Sequence, residues 1–125
     1  KANINLMDNA TLIANITAKE ASPMYYMGNT GWTMDAMSNF QSYVRSDRRY
    51  NRWHNPEVDA LVDIEETTID PQVRQEAITK IQQYLKEEAP FLYLYQTNNL
   101  YGMRSNVEWK PNPIGVLKMH TAAFK

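Results

Sequence analysis

Residues 25–35, "YYMGNTGWTMD", bring together side chains that can hold a ligand. Trp32 offers a wide aromatic plane that can stack on a flat or aliphatic group, and Thr33 adds a hydroxyl. Asp35 can accept charge-assisted hydrogen bonds from an ammonium or a guanidinium group. This combination of groups suits the binding of a small polar molecule with an apolar part.

The glycines of this loop do not form a phosphate-binding motif. Gly28 and Gly31 lack the G-x-x-x-x-G-K-[ST] spacing, and no lysine follows to meet a phosphate. Two interpretations stay open: the loop contacts a ligand, or Trp32 plugs the core while Asp35 caps a helix that begins near Ala36. The candidate ligand-binding residues are Gly31, Trp32, Thr33 and Asp35.

Other reactive side chains do not form a recognisable catalytic or metal-binding set. The two histidines, His54 and His120, are far apart and lack H-x-x-x-H spacing, so we predict no metal site and no cofactor. Ser38 and Ser42 lie outside any G-x-S-x-G elbow, and no carboxylate pair has a distinctive setting. We therefore predict that the chain is not an enzyme.

The basic stretch 45–54, "RSDRRYNRWH", interleaves arginines with aromatic residues, a combination that can clamp single-stranded nucleic acid. The stretch is short, however, and the net charge of the 125-residue chain is -1. We expect a solvated loop that folds its aromatic residues onto the next helix, and no nucleic-acid partner. Cysteine is absent, which excludes disulfides, thiolate metal sites and a cysteine nucleophile. No apolar run is long enough to span a bilayer.

The first third of the chain predicts a strand, a helix and a second strand. Residues 2–7 alternate in polarity as a strand does, and Asp8 or Asn9 can cap a following helix. The apolar run 23–28 suits a buried strand. This order predicts a right-handed crossover between parallel strands.

Later signals are sharper and predict two helices and a strand. Asn55 with Pro56 and Asp70 with Pro71 are each a cap followed by a first-turn proline, which predicts helices over 56–66 and 71–88. The apolar run 91–96 predicts a strand buried on both faces. The acidic groups "DIEE" (63–66) and "KEE" (86–88) read as solvated helix faces. We therefore predict an α/β fold with a lobe over 1–96 and a return segment with a tail over 97–125.

A long series of residues resembles the solute-binding proteins of peptide- and nickel-type ABC importers. The run "RWHNPEVDALVDIEETTIDPQVRQEAITKIQQYLKEEAPFLYLYQTNNLYGMR" is similar to their carboxyl-terminal part, and "MGNTGWTMDAMSNF" is similar to their tryptophan loop. Ala36 and Met37 depart from that loop, because they stand where the family has a second acid and a proline. The residues that match in order are Asn55, Pro56, Glu57, Val58, Asp59, Ala60, Leu61, Asp70, Pro71, Arg74, Ala89, Pro90, Tyr95, Asn98, Tyr101 and Arg104.

The resemblance implies the carboxyl-terminal lobe of a type II periplasmic-binding-protein-like fold, a mixed sheet flanked by helices. It implies a periplasmic or extracellular protein, with a lipid anchor if Gram-positive, that closes on a peptide-like solute and docks on ABC permease subunits. In peptide-binding relatives the acid of the tryptophan loop holds the α-ammonium of the ligand, and Asp35 is the matching residue here.

The chain begins and ends like a fragment of a longer protein, so we expect this stretch alone to bind solute weakly or not at all. Its tail is expected to pair between chains, a self-association that light scattering would detect. The alternative function is a ligand-sensing or interaction module built on the same lobe. A signal peptide or lipoprotein cysteine upstream would favour transport, and a DNA-binding module there would favour sensing.

Overall fold

The computed structural model of the chain describes residues 3–28 and 33–125. Helices and short strands follow one another within these residues. In chain order they are α1 (Asn9–Thr17), α2 (Ala36–Asn39) with a continuing π-helical turn (Phe40–Val44), α3 (Pro56–Thr67), α4 (Pro71–Glu88), β1 (Val107–Glu108), a 3₁₀ turn (Met119–Thr121) and β2 (Ala123–Phe124). The described residues thus form a small domain of mixed helix and strand.

The cap-and-proline pairs start the two longest helices, as predicted. The side-chain oxygen of Asn55 accepts from the backbone N–H of Glu57 at 3.0 Å, and Asp70 does the same for Gln72 at 2.8 Å. Each proline occupies the first helical turn, where its missing N–H leaves no bond unmade. Helix α4 ends at Glu88, before Ala89 turns into the left-handed region with φ 46°.

The core lies where α3, α4 and the π-helical turn meet. The predicted apolar stripes supply most of it, although Val73 in the first turn of α4 is 42% exposed. Met37 in α2 is 38% exposed and lies outside this core. The buried members of this cluster are Phe40, Val44, Val58, Val62, Ile81 and Leu85. These few side chains hold two helices and the turn together.

Helix α1 forms as predicted, but the crossover unit around it does not. Asp8 caps α1 by accepting from the N–H of Thr11 at 3.0 Å, and Ile16 is fully buried. Residues 3–7 and 23–28 belong to no strand, and residues 23 and 24 form a bend, so the strand predictions there are wrong. Ile4 and Leu6 are 86% and 90% exposed. An alternating pattern supplies one face of a strand, but only a neighbouring strand supplies its hydrogen bonds.

The predicted strand over 91–96 is also absent. No backbone hydrogen bond between described residues involves 91–96, and Leu92 and Tyr93 are 72% and 74% exposed rather than buried. The sheet found in the described part of the chain is a two-residue antiparallel pair, in which Val107 lies opposite Phe124. The predicted boundary between residues 96 and 97 stays a prediction.

Candidate ligand-binding site

Two of the four predicted ligand-binding residues can be located. Gly31 and Trp32 lie outside the described residues, so the choice between ligand stacking and a core plug for Trp32 stays open. Thr33 and Asp35 lie at the start of α2. Between them Met34 has φ 57°, a left-handed conformation that costs a side-chain-bearing residue about 1–2 kcal/mol.

Asp35 caps α2, which confirms the capping interpretation of this residue. Its Oδ1 accepts from the backbone N–H of Met37 at 2.9 Å. The hydroxyl of Thr33 lies 2.7 Å from the hydroxyl of Ser38 and 3.3 Å from the backbone nitrogen of Asp35, which donates to it. These short-range bonds fix the turn, while 40% of the Asp35 side chain stays exposed.

An arginine from a different helix also binds Asp35. Nη2 of Arg74, in the second turn of α4, lies 2.5 Å from Oδ1 of Asp35 and 2.5 Å from Oε1 of Glu65 in α3. The hydrogen bond from Arg74, together with the N–H of Met37, lowers the pKa of Asp35. Hydrogen bonds to Asp35 and Glu65 in turn raise the pKa of Arg74, so the guanidinium is charged and the carboxylate of Asp35 is ionised at neutral pH.

Glu65 contradicts the prediction that "DIEE" is a solvated helix face. Its side chain is fully buried, and Oε2 has no hydrogen-bond partner among residues 3–28 and 33–125. Asp63 of the same group is bound by Arg45, so it too is engaged. A buried carboxylate is costly unless it is paired, and Arg74 is its partner.

The sequence does contain a signal for the Glu65–Arg74 pair. Glu65 follows Val58 and Val62 at helical spacing, so it falls on the apolar stripe of α3. Arg74 likewise precedes Ala77 and Ile81 on the stripe of α4. Opposite charges at stripe positions of two adjacent helices predict a buried ion pair. The prediction missed this pair because it treated residues 63–66 as one acidic group, without asking which face of the helix each residue lies on.

The group "KEE" is likewise more than a solvated face. Glu88, in the last turn of α4, accepts from Nε1 of Trp53 and from Nδ2 of Asn55, each at 2.7 Å. A carboxylate is unfavourable at a helix C-terminus because the backbone carbonyls there carry partial negative charge. These two bonds tie the segment before α3 to the end of α4.

The basic stretch 45–54 folds onto the protein, as predicted for a loop. Arg45 binds Asp47 and Asp63, and Arg52 donates to the carbonyl of Ile16 at 2.9 Å. Trp53 packs against the core. With these groups engaged within the chain, the stretch presents no continuous row of unpaired arginines.

Several further observations bear on other kinds of site. Among the described residues, no three metal-binding side chains are grouped as a metal site would require. A shallow depression of about 240 Å³ lies along the outer face of α4, lined by Lys80, Gln83, Tyr84 and Glu87. It includes neither Thr33 nor Asp35, so it gives no support to ligand binding at the loop.

The tyrosines at 93 and 95 do not pack in a core. Tyr93 and Tyr95 are 74% and 69% exposed, and the hydroxyl of Tyr95 lies 2.9 Å from that of Tyr26.

Membrane insertion was also considered. Within residues 3–28 and 33–125, no helix has both the length and the apolar character needed to cross a membrane.

Comparison of the chain with protein-family models, with curated proteins and with solved structures gives no match.

Proposed function

We propose that the chain is the carboxyl-terminal lobe of a solute-binding protein that captures a peptide-like solute and delivers it to an ABC permease. Gly31, Trp32, Thr33 and Asp35 would line one wall of its cleft. The proposal includes the finer fold, the carboxyl-terminal lobe of a type II periplasmic-binding-protein-like fold with a mixed sheet flanked by helices. It also includes an extracytoplasmic location, and it assigns the chain no catalytic role.

The observation that carries the proposal is the half-exposed, ionised carboxylate of Asp35. Nη2 of Arg74 is shared between Asp35 and Glu65, so Asp35 does not have the positive charge of this guanidinium to itself. Glu65 is fully buried, whereas 40% of the Asp35 side chain is exposed, so a ligand can reach the cluster through Asp35. An ammonium group there would balance the charge and form a charge-assisted hydrogen bond.

Binding would act by closing two lobes around the solute. A ligand that contacts both walls of a cleft has a higher affinity for the closed form, and this difference in affinity shifts the equilibrium towards closure. The segment 91–103 supports a larger assembly, because it contains no charged residue, exposes apolar side chains such as Leu92 and Leu94, and its backbone makes no hydrogen bond to another described backbone group. Such a segment gains stability by pairing with a strand.

The test uses the whole binding protein of which this chain would be the lobe. Ligand that binds only the folded state should raise its melting temperature. A panel of peptides, opines and sugars would be screened by thermal shift, with native mass spectrometry to identify any co-purified solute. The absence of a shift across the whole panel would contradict the transport proposal.

A substitution then tests the role of the carboxylate. Asp35→Asn keeps a capping side chain but should weaken binding of an ammonium-bearing ligand by about 1.5–3 kcal/mol, the value of a hydrogen bond to a charged group. Asp8→Asn is the matched control, since Asp8 also caps a helix but belongs to α1. Equal affinity of the two variants by calorimetry would remove Asp35 from the site.

A further inference from the structure

Arg74 makes two ion pairs of different kinds with a single nitrogen atom. In its contact with Glu65, the glutamate side chain has no exposed surface. Its contact with Asp35 is at a side chain that is 40% exposed. The guanidinium therefore links the interior of the helix pair to the surface at the start of α2.

The buried pair determines where the guanidinium lies. Glu65 belongs to the well-packed face of α3, two residues beyond Asp63 and one turn after Val62, which is fully buried. An uncompensated buried carboxylate is strongly unfavourable, so Arg74 is held against Glu65 whether or not Asp35 is present. Nη2 of Arg74 carries two N–H groups, so it can donate to a second carboxylate without giving up the first.

The exposed loop depends on that fixed guanidinium. Among the described residues, the contacts that hold the Asp35 side chain are the N–H of Met37, two residues away in the chain, and Nη2 of Arg74, 39 residues away. The contact with Met37 fixes the carboxylate relative to its own helix turn. The contact with Arg74 fixes that turn relative to α3 and α4. It also helps to offset the backbone strain of Met34, which has a left-handed conformation.

We propose that Arg74, held in place by the buried Glu65, is the positioning residue for the loop 33–35 and for Asp35, the carboxylate proposed above to bind the ligand. The ligand part of this inference rests on the proposed function. The positioning part concerns the unliganded chain and stands independently of it.

The test is an NMR titration of the Asp35 carboxyl carbon in the unliganded chain. In Arg74→Met, the pKa of Asp35 should rise towards the ordinary value for aspartate, and the amide of Met37 should exchange faster because its acceptor is no longer held. Arg74→Lys keeps the charge and should restore the pKa in part. A purely structural role for Arg74 would not predict this graded rescue.

Arg74→Met leaves Glu65 buried and unpaired, so the variant can fail to fold. The double variant Glu65→Met/Arg74→Met removes both charges and avoids this problem, since replacing a buried ion pair with apolar side chains is often tolerated. Arg45→Met is the matched control: Arg45 also binds two carboxylates, those of Asp47 and Asp63, but not Asp35. It should leave the titration of Asp35 unchanged.

The outcomes separate this inference from the proposed function. A folded double variant in which Asp35 titrates as in the wild type would overturn the positioning role. If the titration shifts and an ammonium-bearing peptide that binds the wild-type binding protein binds the double variant about tenfold more weakly or worse, both proposals are supported. If the titration shifts but no peptide binds the wild type, the positioning role stands and the proposed function fails.

Discussion

Residues 33–91 bury apolar side chains in a common core, whereas residues 92–125 bury none of theirs. All six members of the main core cluster lie in the first region, together with the Arg74 and Glu88 contacts that tie its helices to preceding segments. The second region contains no buried residue, although it carries large apolar side chains such as Leu94 and Leu100. Apolar composition alone therefore does not make a core; the elements must also bring the side chains to a common face.

The difference reflects how far apart in the chain the necessary partners lie. Caps on α3 and α4 act over two or three residues, and the two helices meet through a linker of three residues, 68–70. A strand over 91–96 would need a neighbouring strand, and none of the described residues provides one. Local interactions form at small entropic cost, whereas strand pairing depends on distant segments.

The largest expected effect comes from truncating a leucine in each region. Leu85→Ala removes a side chain that is 7% exposed and should lower the free energy of unfolding by about 2–5 kcal/mol. Leu100→Ala removes one that is 93% exposed and should change it by less than about 0.5 kcal/mol. Urea denaturation measures both. Equal losses of unfolding free energy in the two variants would show that residues 92–125 also contribute to the core. The conclusion that the two regions differ in packing would then be wrong.

A matched pair of asparagines gives a smaller effect. The side-chain oxygens of Asn55 and Asn112 each accept from a backbone N–H two residues later, at 3.0 and 2.9 Å. Asn55→Ala should cost about 0.5–2 kcal/mol of unfolding free energy, because a helix cap is lost. Asn112→Ala should cost less, because its turn lies outside the helical core. A larger loss for Asn112, measured by thermal denaturation, would contradict this ranking.

Acidification should lower the stability of residues 33–91, because it protonates the carboxylate of Asp35. Arg74 lowers the folded-state pKa of Asp35, so its stabilising contribution is present above the unfolded-state pKa, about 3.9, and is lost as pH falls through the lower folded value. The wild type should therefore lose stability on acidification below about pH 4 more steeply than Asp35→Asn.

Circular dichroism at a series of pH values measures that difference. Glu108→Gln is the control from the second region, because Glu108 forms no ion pair with any described residue and its loss should leave the acid sensitivity as in the wild type. Identical acid profiles for Asp35→Asn and the wild type would mean that the Arg74 contact adds nothing to stability.

The smallest effects come from two residues with positive φ, one in each region. Ala89 has φ 46° at the end of α4, and Gly115 has φ 75° in the turn after Asn112. Ala89→Gly removes the left-handed strain and should stabilise the chain by about 0.5 kcal/mol after the extra flexibility of glycine is subtracted. Gly115→Ala should destabilise only its own turn. If calorimetry shows that Ala89→Gly is less stable than the wild type, the inference that Ala89 is strained at the end of α4 is wrong.

The same contrast explains which predictions from the sequence succeeded. The starts of α1, α3 and α4 could be read from Asp8, Asn55 and Asp70, because a cap, its helix and its first turn are neighbours in the chain. The strands were predicted from an alternating pattern at 2–7 and from apolar runs at 23–28 and 91–96, without evidence for their partners, and they are absent from the described residues. Residues 110–115 contain no helix or strand, and a local signal accounts for this, because the rings of Pro111 and Pro113 are incompatible with regular structure.

At the candidate site, sequence reasoning found Asp35 but not what holds it. Capping was one of its two predicted roles, and it follows from local spacing. The contact with Arg74 joins residues 39 apart, and the pairing of Arg74 with Glu65 becomes visible only when the stripes of two helices are compared. Tertiary contacts of this kind follow from which helices pack together, and that information is not carried by a single segment.

The 39-residue separation between Asp35 and Arg74 also sets an order of assembly. Helices α3 and α4 are joined by a short linker and can dock quickly, whereas the ion pair to Asp35 closes a longer loop at a later step. Opening is expected in the reverse order, so the segment 33–35 should exchange its amide hydrogens through local fluctuations while α3 and α4 stay folded. The loop is thus the first part of the helical region to leave its place and the last to return.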